Sequence, residues 1–215
     1  MTTGDGWTAA VRDRLAPGRL LPLGTAEDGA WITERAARGV LARAASAVRG
    51  VVPGELRIGP DREAEPGAES AGLRVSASFG AVAGRPLPEL TGALRAALLA
   101  AAEDGLGLVT AAVDLRVTEL LDTAPPEPEP VTPPPGGTSP ATDDPVALAA
   151  LGVPGVAAVT DTVGPPVRRG PDGVRVELAV TVGAFPLDVA RAVRTAVTAA
   201  VPEAAAVTVV VSELR

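Results

Sequence analysis

The chain has 215 residues, 47% of them apolar, and 26 acidic against 19 basic side chains give it a net charge of −7. That length fits one large domain or two small ones. Cys, His and Lys are absent, which excludes disulfides, thiolate nucleophiles, sulfur or imidazole metal ligands, the usual near-neutral proton carrier and Schiff-base chemistry.

The opening stretch, MTTGDGWTAAVRDRL, has no apolar signal core. Its spacing predicts a short amphipathic helix through Trp7, Ala10, Val11 and Leu15, stopped at Ala16-Pro17-Gly18. A short strand over Arg19 to Leu23 and a second at Ala30-Trp31-Ile32 follow as a pair. A helix is expected from Thr33 to Val48, with Thr33 as its N-cap, Glu34 in the first turn and an apolar stripe of Ala37, Val40, Leu41, Ala44 and Val48. A strand near Glu55 to Ile58 leads through an acidic, Gly-containing loop to a returning strand, Leu73 to Ala81. There Leu73, Val75, Ala77 and Phe79 alternate with polar residues, the period-two signature of a half-buried strand. A helix from Pro86 or Pro88 to Asp104 ends at Gly105-Leu106-Gly107. The next strand buries Val113, Leu115 and Val117 and exposes Asp114, Arg116 and Thr118.

Residues 123–144 read as a proline-rich, acidic, disordered linker. Nine prolines between Thr123 and Pro145 remove backbone donors and fix φ, which excludes helix and sheet. Beyond it the same order of elements returns in fewer residues. A short helix around Pro145 to Leu151 runs into Val153-Pro154-Gly155-Val156, as the earlier helix runs into Val48-Arg49-Gly50-Val51. A hairpin with its tip at Pro165 to Gly173 precedes an alternating strand from Val174 to Val182. Asp188 to Glu203 then aligns without a gap on Glu89 to Asp104, and Val209 to Leu214 overlays Leu115 to Leu120.

The chain therefore reads as a duplication in the α+β class. Two related small units, residues 1–122 with an extra N-terminal helix and residues 145–215, each run helix-strand-strand-helix-strand. Each has a mixed three-stranded sheet with helices on one face, the strand-helix-strand segment making two strands parallel. The shorter unit, near the lower size limit for independent stability, lacks the leading strand. Its last strand carries Val210 where the first unit has Arg116. That extra apolar residue on an outer face implies cover from elsewhere, and we expect the two units to pack together.

These features resemble the alkaline-shock-protein family of bacterial envelope stress response proteins. The resemblance rests on the helix running into Val48-Arg49-Gly50-Val51, on Phe79-Gly80 closing an alternating strand, on the helix ending at Gly105-Leu106-Gly107-Leu108, and on the alternation Val113 to Val117. It covers residues 30–121 well and 145–215 loosely. It implies a non-enzymatic, abundant cytoplasmic protein, linked to envelope homeostasis and held at the membrane in some members by a small anchor protein. The Ala, Gly, Pro, Val and Arg excess suits a high-GC bacterium such as an actinobacterium.

Candidate sites are few. Arg35, Arg38 and Arg49 form a row on one helix flank. Asp61, Glu63, Glu65 and Glu69 make one hairpin tip acidic, and the matching tip carries Arg168 and Arg169, so opposite charges can steer association between units or molecules. Asp61, Glu63 and Glu65 alternate like calcium ligands, but Gly67 falls one place late and Gly72 occupies the place of the closing Glu. Gly105-Leu106-Gly107 follows a helix and precedes a strand, the reverse of a dinucleotide fingerprint. No catalytic, cofactor-binding or metal site is expected, and no apolar run reaches the ~18–20 residues of a membrane span.

The leading functional expectation is thus a non-catalytic cytoplasmic interaction or scaffold module that binds a protein partner or itself. The alternatives are a nucleic-acid-binding α+β module and an enzyme using carboxylates. The first lacks a basic segment: residues 1–122 carry 13 Arg against 16 acids, residues 123–144 four acids and no base, and residues 145–215 six of each.

Overall fold

The computed structural model describes residues 18–61, 72–123, 142–171 and 173–215. The N-terminal helix expected through Trp7, the acidic residues Glu63, Glu65 and Glu69, and linker residues 124–141 lie outside that set. Among the described residues, four α-helices and nine strands in two mixed sheets make an α+β fold. The molecule divides into two compact units, residues 37–136 and residues 1–36 with 137–215.

In the first of these, β3 (Val51–Pro60) and β4 (Leu73–Val82) form an antiparallel hairpin, and β4 pairs in parallel with β5 (Thr110–Leu121). The parallel pair requires a crossover, supplied by α2 (Leu87–Leu106). Leu90, Leu94, Leu98, Ala102 and Leu106 of α2 are buried in the i, i+4 stripe its sequence dictates. Gly107 ends the helix at φ 84° and donates its N–H to the Glu103 carbonyl.

The second sheet has six strands. β1 (Leu20–Leu23) pairs antiparallel with β2 (Ala30–Thr33), β2 pairs in parallel with β9 (Val207–Leu214), and β9 pairs in parallel with β8 (Gly173–Val180). The far edge of β8 is shared by β6 (Val156–Val159) and β7 (Val167–Gly170), both antiparallel to it. α3 (Pro145–Leu151) contacts β6 and β8, α4 (Pro186–Ala200) contacts β9 and β2, and the two helices touch each other. They therefore cover one face. α1 (Glu34–Ser46) follows β2 directly, with the Thr33 hydroxyl accepting from the Ala36 N–H as a cap, and the boundary between the units falls within it.

The duplication holds to the level of register. In β4–β5 the pairing Phe79↔Val117 is followed by a bulge at Thr118; in β8–β9, Leu178↔Val211 is followed by a bulge at Ser212. Thr118 donates its hydroxyl proton to the Phe79 carbonyl at 3.3 Å, and Ser212 lies at the same distance from the Leu178 carbonyl. Gly50 and Gly155 hold the equivalent turns at φ 84° and 92°. A Cβ at either would press on the same helix position, Leu90 in one copy and Val189 in the other.

The sheet pairing also differs from the sequence expectation. The leading strands β1 and β2 were expected within residues 1–122, leaving residues 145–215 without a leading strand. Instead they complete the sheet of the second copy, so β2 supplies the neighbour that β9 needs. The cover expected for Val210 is present inside that sheet: Trp31 of β2 flanks it on one side and Glu177 of β8 on the other. Val210 is fully buried.

Candidate functional site

β5 is where the two copies part. Its twin β9 is paired on both sides, and Val207, Val209, Val210, Val211 and Ser212 are all buried. β5 pairs only with β4, and its other edge has no neighbour among the described residues. Val113, Leu115 and Val117, expected to be buried, are only half-buried for that reason, and Leu120 is 74% exposed. Register with β4 is uninterrupted from Ala112 to Val117. On the opposite face of this stretch, Asp114 binds the Arg74 guanidinium at 2.7 Å, and Arg116 is exposed without an ion partner among the described residues. An unpaired strand of this length presents a row of free N–H and C=O groups, the template for strand addition.

The second candidate is a buried polar chain on the outer face of the six-stranded sheet. Strict alternation in β8 places Glu177 away from the helices, yet it is fully buried. The cause is a local expansion. In β3 four residues separate Val51 from Leu56, with a bulge between Pro53 and Leu56; ten residues separate the equivalent Val156 and Val167, and the strand is split into β6 and β7. The extra chain crosses the sheet face. Glu177 Oε1 accepts from the Thr160 hydroxyl at 3.0 Å and from the Thr162 N–H at 2.7 Å, and the Val163 N–H reaches both oxygens at 3.1 and 3.0 Å. The Thr160 and Ser212 hydroxyls lie 2.6 Å apart, and Thr33 donates to the Ser212 carbonyl at 2.9 Å. In the first copy Ser78 holds Glu177's place and accepts from the Glu55 N–H at 2.8 Å in the shorter bulge. A longer side chain thus serves a longer bulge in the same role.

A serine, a threonine and a carboxyl in series superficially match a nucleophile with its base. The donors say otherwise. Thr160 has one proton, given to Glu177, and two backbone amides already occupy the carboxyl oxygens. Ser212 and Thr160 are buried as well. The chain therefore satisfies buried polar groups, each of which would cost about 1–3 kcal/mol if left unpaired.

The arginine candidates are dispersed. Arg35 and Arg38 are exposed on α1, but that helix ends at Ser46 and Arg49 lies beyond it, where its carbonyl faces an Arg85 nitrogen at 3.4 Å. Arg168 and Arg169 stand in β7 rather than at a hairpin tip, because Pro165-Pro166 belongs to the expanded bulge. Arg169 makes a bidentate pair with Asp144, at 2.7 and 2.9 Å, beside the N-terminus of α3. That guanidinium holds the Asp144 carboxyl below its usual range. Arg168 faces Arg175 across the ladder, and Asp61 pairs with Arg74 at 2.9 Å. Arg169 and Asp61 are thus committed locally, and Arg168 has no ion partner among the described residues.

A further pair joins the β1–β2 hairpin to α4. Asp28 binds Arg191 at 2.8 Å and accepts from the Thr25 N–H at 2.7 Å, and Arg194 donates to the Glu27 carbonyl. The Arg191 hydrogen bond is the main reason that the Asp28 carboxyl titrates low, at about 2. Among the described residues no cluster of acidic side chains is placed to hold a metal ion, and no helix is long and apolar enough to cross a membrane. Compared with known proteins, the chain matches no family model, no curated protein and no solved structure.

Proposed function

We propose that this chain is a non-catalytic interaction module that works by strand capture, in keeping with its resemblance to the alkaline-shock proteins. The observation that supports it is the contrast between twin strands: β9 has its second neighbour, and β5 has an edge left open among the described residues and a half-exposed apolar face. Strand addition takes affinity from main-chain hydrogen bonds and specificity from alternate side chains. It requires none of the residue types that this chain lacks. A cytoplasmic location, peripheral to the membrane through an anchor protein, and a role in envelope stress belong to the same proposal and rest on the resemblance.

Photocrosslinking in the native cell tests it. A photoreactive side chain at Arg116 or Thr118 of β5 should give discrete protein adducts, and one at the exposed Arg57 of β3 should not. If the β5 positions give none, the strand-capture role fails. Retention of RNA or DNA on a filter at low salt would favour the nucleic-acid alternative instead.

A further inference from the structure

We infer that the partner of β5 is β5 itself: two copies pair this edge antiparallel about a twofold axis through Leu115, joining two three-stranded sheets into one of six strands. This rests on the strand-capture reading above and adds the identity of the partner. The stretch Val113-Asp114-Leu115-Arg116-Val117 is self-complementary when turned end for end. Leu115 then faces its own mate, Val113 faces Val117, and Asp114 faces Arg116 twice. An antiparallel ladder permits a residue to pair with its symmetry mate at either kind of pair. Isologous contacts of this type are the commonest in homo-oligomers.

Charges on an edge strand normally blunt it against pairing. A single charge lies opposite its own copy, and repels it, in the register that sets it on the twofold axis. Opposite charges two residues apart instead select one register, because like charges directly opposite are unfavourable and opposite ones favourable. The paired twin supports the same reading from the other side. On β9, where β2 already fills the edge, the place of Arg116 is taken by the fully buried Val210. Arg116 itself is exposed and has no ion partner among the described residues. The uninterrupted ladder is short, from Ala112 to Val117, so the contact falls well below the roughly 1,200 Å² of a standard stable interface and the dimer should be weak.

Sedimentation of the purified full chain at low salt, from roughly 1 µM to 1 mM, reads the association directly. Wild type should pass from monomer to dimer across that range. Arg116→Asp sets acid against acid twice and should weaken association about tenfold or more; adding Asp114→Arg to it restores complementarity and should recover the dimer. The chain has no cysteine, so a single one reports register. Leu115→Cys should form a disulfide-linked dimer under mild oxidation, because facing residues lie within bridging distance. Val113→Cys alone should not, its mate being about 13 Å away, yet it should cross-link to Val117→Cys. Each variant is scored only if its melt matches wild type, and the cysteine series stands if the charge variants fail to fold. A chain that stays monomeric to 1 mM, a dimer indifferent to Arg116→Asp, or cross-linking at Val113 equal to that at Leu115 overturns self-pairing. Cellular adducts to other proteins at β5 would then still uphold strand capture; their absence would sink both.

Discussion

Asp28 lies in the turn between β1 and β2 and ties that hairpin to α4 through Arg191. Its carboxyl titrates at about 2 in the folded chain, against 3.8 for an unperturbed one. The folded value is the lower of the two. The stabilisation is therefore complete above pH 3.8 and drains away as the pH falls through about 2. Asp28→Asn should lower the melting temperature at pH 7, by a modest amount because Arg191 is half exposed. The gap between variant and wild type should close as the pH is taken down towards 2. Thermal melts followed at several pH values measure it, and a gap that persists unchanged at pH 2 would mean that the carboxylate charge is not what joins hairpin to helix. Little of this was legible in the residues alone. Thr33 announced itself as a cap because its partner is three residues away. Asp28 and Arg191 are 163 residues apart, and no local pattern connects them.

The alternation that betrays a strand also states which face each residue takes, and β4, β8 and β9 were readable in that way. It does not state which strand lies alongside. β2 is four residues long and pairs with a strand near the other end of the chain, so the sequence expectation kept it with its neighbours in residues 1–122. The same blindness hid Glu177. Period two puts it on the outer face, and only the six extra residues between β6 and β7, crossing that face, bury it. Val210 was the one visible hint, an apolar residue where its twin has Arg116. It pointed correctly to cover: Trp31, from the segment 1–122, flanks it on one side and Glu177 on the other, within one sheet. A consequence can be measured. Residues 144–215 expressed alone lack β1 and β2, leaving the β9 edge and the inward face of Val209 and Val211 without their neighbour. That fragment should show no cooperative melt, and joining it by a flexible linker to residues 18–36 should restore one. A sharp melt of the bare fragment would show that β2 is dispensable to the sheet.

The candidate site was even less legible than the fold, because an open edge is a property of what does not pair with it. Val113 to Val117 reads like any half-buried strand until its twin is seen with a neighbour on the corresponding side. The same swap determines how the molecule is strung together. Residues 37–136 form one compact unit inserted between the two pieces of the other, residues 1–36 and 137–215. The covalent chain leaves the six-stranded sheet after β2 and returns to it only after residue 136. A break between Gly136 and Gly137 therefore cuts the backbone without cutting the sheet, since β2–β9 pairing, the Thr33 to Ser212 hydrogen bond and the Asp28–Arg191 pair all cross it. With a site-specific protease sequence placed there, the cleaved fragments should co-elute under native conditions and separate only in denaturant. Had the chain folded as two consecutive units, each with its own strands, none of these three links would cross the cut. Parting of the halves without denaturant would mean that the hairpin of the first repeat does not belong to the sheet of the second.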